Sequence, residues 1–208
     1  MKLKAALFDL DGVLLDTEGI YSDFWHGIDL EYPTGIEDFA HYIKGSTLST
    51  ILDRHFPPEV HTDIRARLSA FERSMPYRLF DGAADLLTSL KSHGIATAIV
   101  TSSNREKMRR VFREVPVLAT VDTLVVDEDV TASKPDPQGY MLAARRLDAL
   151  PSAFAVVEDS LHGLEAGRRS GGLVVGIATT NPRQVVEPLS DYVADTVAGI
   201  ADFLMRDN

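Results

Sequence analysis

The chain has 208 residues, 45% of them hydrophobic, a formal net charge of −10 and no cysteine. This is enough apolar material for a buried core, while the missing thiols exclude disulfides, thiol catalysis and cysteine zinc sites, and the acidic balance argues against nonspecific binding to nucleic acid or anionic membranes. No stretch approaches the roughly 18 apolar residues of a membrane span, and the apolar run at residues 5–8 is too short for a secretory signal, so the expected location is the cytoplasm.

Residues 3–10 read as a strand, because Ala5, Ala6, Leu7 and Phe8 form a short continuous apolar run of the kind buried on both faces of a parallel sheet. The run stops at Asp9-Leu10-Asp11-Gly12. Two carboxylates at a spacing of two leave the same side of an extended backbone. Each would raise the other's pKa unless a positive group, naturally a divalent cation, lies beside them. Gly12 permits a sharp turn there. From residue 18 to about 30, Ile20, Phe24, Trp25 and Ile28 repeat at helical spacing. Further helices are expected over 36–43, over 48–56 after a Gly45-Ser46-Thr47 turn and cap, and over 59–75. Trp25, Tyr21 and Ile28 read as packing residues, and His26, His41, His55 and His61 show no metal-binding spacing.

From Pro76 the pattern alternates. Helices are expected over 81–93, 105–112, 136–147, 161–169 and 199–205, and strands over 95–100, 121–126, 153–157 and 173–177, with a short strand near Tyr192 and Val193. Such alternation implies a parallel sheet with helices on both faces. The expected fold is α/β, a Rossmann-like core of residues 1–16 and 77–208 interrupted after its first strand by a helical insertion, residues 17–76.

Sites in such sheets form beyond the carboxyl ends of the strands. Those ends offer Asp9 and Asp11, then Thr101, Ser102 and Ser103, then Lys134 in the loop after the third strand, then Glu158 and Asp159. Singly, each has an ordinary explanation: Thr101 as a helix cap, Lys134 as a solvated loop residue, Glu158 and Asp159 as a charged helix start. Their joint placement on one edge points to a site.

The order of these motifs resembles the haloacid dehalogenase superfamily, in its phosphatase branch. The matching residues are Asp9-Leu10-Asp11-Gly12-Val13, Thr101, Lys134-Pro135-Asp136-Pro137, Glu158-Asp159-Ser160, Gly163 with Ala166, and Asp16-Thr17-Glu18. The insertion is similar to the small helical cap of β-phosphoglucomutase-like members. The resemblance implies Asp9 as nucleophile forming an aspartyl-phosphate, Asp11 as general acid and base, and Thr101 and Lys134 stabilising the transferring group. It implies Mg²⁺ on Asp9, the Asp11 main-chain carbonyl and Asp159, with Glu158 ligating or steadying that shell. Ser102 and Ser103 would add donors, and Lys44 in the cap loop is a candidate substrate contact.

Asp11 favours an oxygen leaving group over a halide. Mutase members carry a histidine where Tyr21 stands and an arginine where Leu48 stands, so simple hydrolysis of a small phosphorylated metabolite is expected over phosphoryl transfer between sugar carbons. Pyrophosphate hydrolysis and a non-catalytic binding role are the alternatives. Arg78 and Asn181 are minor candidates near the site, and a monomer is the default.

Overall fold

The computed structural model describes residues 3–205. Six strands form one parallel sheet: β1 (Ala5–Phe8), β2 (Ala96–Val100), β3 (Thr123–Val125), β4 (Phe154–Glu158), β5 (Leu173–Ile177) and β6 (Tyr192–Ala194), in the order β3-β2-β1-β4-β5-β6. Central β1 pairs with β2 on one side and β4 on the other, with Phe8 opposite Ile99 and Val157. All four of its residues are buried, as the unbroken apolar run requires.

Ten α-helices complete the described chain: α1 (Glu18–Glu31), α2 (Phe39–Tyr42), α3 (Leu48–His55), α4 (Pro58–Ser74), α5 (Ala83–Ser92), α6 (Arg105–Glu114), α7 (Gln138–Arg146), α8 (Leu161–Ser170), α9 (Arg183–Val186) and α10 (Val197–Met205). Alternation along β1 sends Ala6 and Phe8 into the core shared with α5, α6 and α10, and Ala5 and Leu7 into the core under α7. The expected third strand is shorter than 121–126: the Asp122 carboxylate accepts the Thr97 N–H at 2.8 Å and takes over from the ladder at its edge. The four-residue helix α9 follows Pro182 and was not expected, because so short a turn carries no periodic signal.

Between β1 and α5 the chain forms only helices among its regular elements. Helices α1 to α4 bury their own apolar cluster, including Trp25, Phe39, Ile51, Phe56 and Ile64. The chain enters and leaves this insertion by adjacent extended segments: Asp16 N–H donates to the Arg78 carbonyl at 2.9 Å and Phe80 N–H to the Leu14 carbonyl at 3.0 Å. A tight turn precedes the entry. Leu14 and Leu15 N–H both donate to the Leu10 carbonyl at 2.9 Å, and Gly12 adopts φ +80°. Only a glycine meets both demands there, since a Cβ would also run into the Asp159 carboxylate.

Candidate active site

The carboxyl ends of β1 and β4 meet over a buried lysine. Lys134 sits just before α7, and its ammonium lies 2.5 Å from Asp9 Oδ1 and 2.5 Å from Glu158 Oε1, with a further bond to the Val100 carbonyl at 3.3 Å. Glu158 is fully buried and fully engaged. Oε1 also accepts from the Tyr140 hydroxyl at 2.8 Å, while Oε2 accepts from the N–H groups of Asp159 and Ser160 and the Ser160 hydroxyl. Burial opposes its ionisation, but Lys134 and these donors hold its carboxyl below the usual range. Gly163 lies directly beneath it, because a side chain there would occupy the space of the carboxylate.

Asp9, Glu158 and Asp159 each bring one oxygen within 4.8 Å of the others. Burial pushes the Asp9 carboxyl up to about 8, against the pull of Lys134 and helped by Glu158 and Asp11. Asp159 is driven well above the usual carboxylate range by burial and by Glu158, Glu18 and Asp9. Its Oδ2 is buried with no hydrogen-bond partner among the described residues. Buried polar atoms are rarely left so. The Asp9 and Asp159 oxygens, one of them orphaned, with the engaged Glu158 behind them, suit a hard divalent cation such as Mg²⁺, whose charge would reverse the upward shifts. Asn181, buried, donates to the Asp159 carbonyl at 2.9 Å and fixes the backbone behind it.

Asp11 points elsewhere. Its Oδ1 accepts from the Thr17 hydroxyl at 2.5 Å, and its Oδ2 from Lys107 at 2.6 Å and the Ser103 hydroxyl at 3.2 Å. The two aspartates of the first motif thus occupy separate environments, one on Lys134 and the acidic trio, the other on Lys107 and two hydroxyls. Both open onto a cavity of about 370 Å³ between sheet edge and insertion. Thr101, Ser102 and Ser103 form its floor, with Lys44, Leu48, Trp25, Arg65 and Glu72 among its other walls. The insertion loop is fastened to the core around it. Ser102 Oγ donates to the Gly45 carbonyl at 2.7 Å, Thr47 N–H to Ser133 Oγ at 2.9 Å, and His162 Nδ1 lies 3.1 Å from the Lys44 carbonyl.

The family described as haloacid dehalogenase-like hydrolase matches residues 6–177, which take in the insertion and the sheet from β1 to β5. This chain is a haloacid dehalogenase-like hydrolase. A validoxylamine A 7'-phosphate phosphatase of Streptomyces hygroscopicus subsp. limoneus is 29% identical over 190 residues, covering 88% of this chain and 89% of its own. A β-phosphoglucomutase of Mycobacterium bovis is 29% identical over 234 residues, covering 94% of this chain and 89% of its own. The crystal structure of a hydrolase from Pseudomonas syringae shares the fold, with a TM-score of 0.84 at 20% identity over 98% of this chain and 99% of that one.

The hydrolase brings together every core residue singled out in the sequence, with some reassignments. The Asp11 carboxylate, expected among the metal ligands, stands outside the acidic trio, held instead by Thr17, Lys107 and Ser103. Ser102 and Ser103 line the cavity, but their hydroxyls serve the insertion loop and Asp11 respectively. Lys44 faces the cavity paired with Glu18 at 3.0 Å, so it is not a bare cation. Arg78 is exposed and does not line the cavity; its carbonyl holds the hinge. His55 packs on Phe39 and Tyr42, His61 lies 3.0 Å from the Phe56 carbonyl, and Trp25 packs against Phe24, Phe39 and Phe56 while its edge reaches the cavity. Lys107, Tyr140 and His162 escaped the sequence reading. Lys107 lies on the first turn of a helix dense in charge and there looks like any solvated lysine.

Proposed function

We propose that this hydrolase is a Mg²⁺-dependent phosphatase that cleaves a small organic phosphate, of the sugar or polyol class, through an aspartyl-phosphate on Asp9. The observation that supports it most is the division of labour between Asp9 and Asp11. Two carboxylates from one motif acquire separate roles when their surroundings differ.

Asp9 carries its nucleophilic oxygen beside Lys134, which offsets charge on the carboxylate and on the phosphoryl group. Its attack forms an Asp9 O–P bond as the ester P–O bond breaks, and the leaving oxygen takes a proton from Asp11. Asp11 then removes a proton from the water that attacks phosphorus and returns Asp9 to its free form. Thr101 contributes a donor toward the phosphoryl oxygens. Asp9, Asp159 and the Asp11 main-chain carbonyl would hold Mg²⁺, steadied by Glu158, and the ion would supply positive charge against the phosphoryl oxygens and Asp9. The insertion closes over the cavity and excludes water. Transfer between sugar carbons is disfavoured by Tyr21 and Leu48, which replace the residues that mutases use. The protein is read as a cytoplasmic monomer acting on a small metabolite.

The test is phosphate release with Mg²⁺ from sugar and polyol monophosphates, hexose bisphosphates and pyrophosphate, with Asp9→Asn alongside. Release from monophosphates that disappears in Asp9→Asn is expected. Release untouched by Asp9→Asn would overturn the reading, and hexose phosphate isomerised in a bisphosphate-dependent way would replace it with a mutase.

A further inference from the structure

Lys107 is 1% exposed, unusual for a lysine on a surface helix. Asn104 caps α6 by accepting the Lys107 N–H at 2.8 Å, so the residue starts from a fixed backbone. Its ammonium lies 2.6 Å from Asp11 Oδ2 and 4.5 Å from the centroid of the Tyr21 ring. Tyr21 is itself held by Glu72, which accepts from the Tyr21 hydroxyl at 2.9 Å, and Glu72 pairs with Arg110, one turn beyond Lys107, at 3.1 Å. The phenol thus stands where mutase relatives carry a histidine and serves as the wall against which a lysine is pressed onto Asp11. Burying an ammonium is costly unless it is well paired, and this one is paired with a carboxylate and an aromatic face.

We infer that Lys107 is a positioning residue for Asp11, clamping Oδ2 so that Oδ1 is the oxygen that exchanges a proton with the leaving group. The inference rests on the phosphatase reading. The two oxygens of Asp11 have unlike partners. An ammonium only donates, so no proton can be presented toward it from Oδ2. The Thr17 hydroxyl on Oδ1 both donates and accepts, so Oδ1 is the oxygen able to carry the proton. Lys107 belongs to the core and Thr17 to the root of the insertion. The ammonium of the clamp is thus a core group, while the hydroxyl on Oδ1 and the Tyr21 wall both come from the insertion.

A merely structural ion pair and a positioning clamp differ in how the leaving group matters. A poor leaving oxygen needs its proton; p-nitrophenolate does not. Lys107→Met, Lys107→Arg and Asp11→Asn are compared with the parent on p-nitrophenyl phosphate, on phenyl phosphate and on the best alkyl phosphate of the panel above, with Mg²⁺. Lys107→Met is expected to lose about 100-fold in kcat on the alkyl phosphate, within the usual range for general acid catalysis, and only about threefold on p-nitrophenyl phosphate. Lys107→Arg should recover part of the loss, and adding Lys107→Met to Asp11→Asn should cost nothing further on the alkyl phosphate. Lys107→Gln gives the same comparison if the Met variant does not fold. Equal losses on all three substrates, or none, would overturn the clamp. Loss in Asp9→Asn and Asp11→Asn with an unaffected Lys107→Met removes the clamp alone, whereas activity retained in Asp9→Asn removes the phosphatase reading itself.

Discussion

Replacing Asp159 by Asn should make the metal-free protein more stable while destroying its response to Mg²⁺. Asp159 Oδ2 is a buried carboxylate oxygen without a hydrogen-bond partner among the described residues, in a carboxyl raised by burial and by Glu158, Glu18 and Asp9. Asn keeps a polar atom there but removes the buried charge from beside Glu158, Glu18 and Asp9, a relief of about 1–3 kcal/mol. At about 2–4 °C per kcal/mol for a chain of this size, that relief should raise the metal-free Tm by about 2–12 °C. The sign with pH follows from the direction of the shift. An acid whose folded pKa lies above its unfolded value contributes most stability at low pH and loses it as pH rises through the folded pKa. The gain from Asn is therefore larger at pH 8 than at pH 5. In the parent, Mg²⁺ at about 100 times its Kd should add about 2.7 kcal/mol, a rise of about 5–11 °C; in Asp159→Asn the rise should vanish along with phosphate release. The assay is thermal unfolding at both pH values, with EDTA and with Mg²⁺. A metal-free Asp159→Asn less stable than the parent, or one still stabilised by Mg²⁺ to the parent's extent, would refute the assignment of that orphaned oxygen to a cation.

Gly163→Ala puts a methyl group into the Glu158 carboxylate, which its many bonds prevent from moving aside, so a loss of at least about 3 kcal/mol is expected in urea unfolding, and a change below about 1 kcal/mol would contradict that rigidity. Arg110→Met leaves the buried Glu72 with the Tyr21 hydroxyl and the nearby charge of Lys107 but no directly paired cation, and should cost about 3 kcal/mol by the same measurement. Leu48→Arg supplies a cation in the cavity wall at the position where mutases carry one, and the KM for a hexose bisphosphate should fall about tenfold. An unchanged KM would show that Leu48 does not face the substrate's far end.

Which parts of this protein were legible in the sequence follows from how local their causes are. A parallel strand buried on both faces must be an apolar run, so β1, β2, β4 and β5 announce themselves within four or five residues. Caps require particular side chains: Thr47, expected as a cap, accepts the Thr50 N–H, whereas the helices after β2 and β4 are capped by Asn104 and Ser160 rather than by Thr101 or the Glu158-Asp159 pair. Because sites in such sheets form at the carboxyl ends of strands, locating the strands also located Asp9, Thr101 and the Glu158-Asp159 pair.

Tertiary structure decided what each charge faces. On α6, Lys107 and Arg110 lie among Met108 and Val111 on the buried side, a placement periodicity alone would deny to cations. Their partners lie far away in sequence: Asp11 comes within reach when the core folds, and Glu72 only when the insertion settles on it. Lys44 looked available to an anionic substrate until Glu18 stood 3.0 Å away. Glu158 and Asp159 are adjacent in sequence, yet the first is satisfied on both oxygens and the second keeps one orphaned. Backbone pattern is a short-range property and survives in the sequence. Pairing and burial of charge are long-range, and they determine which carboxylate holds a lysine, which is left for a metal, and which is clamped beside the cavity.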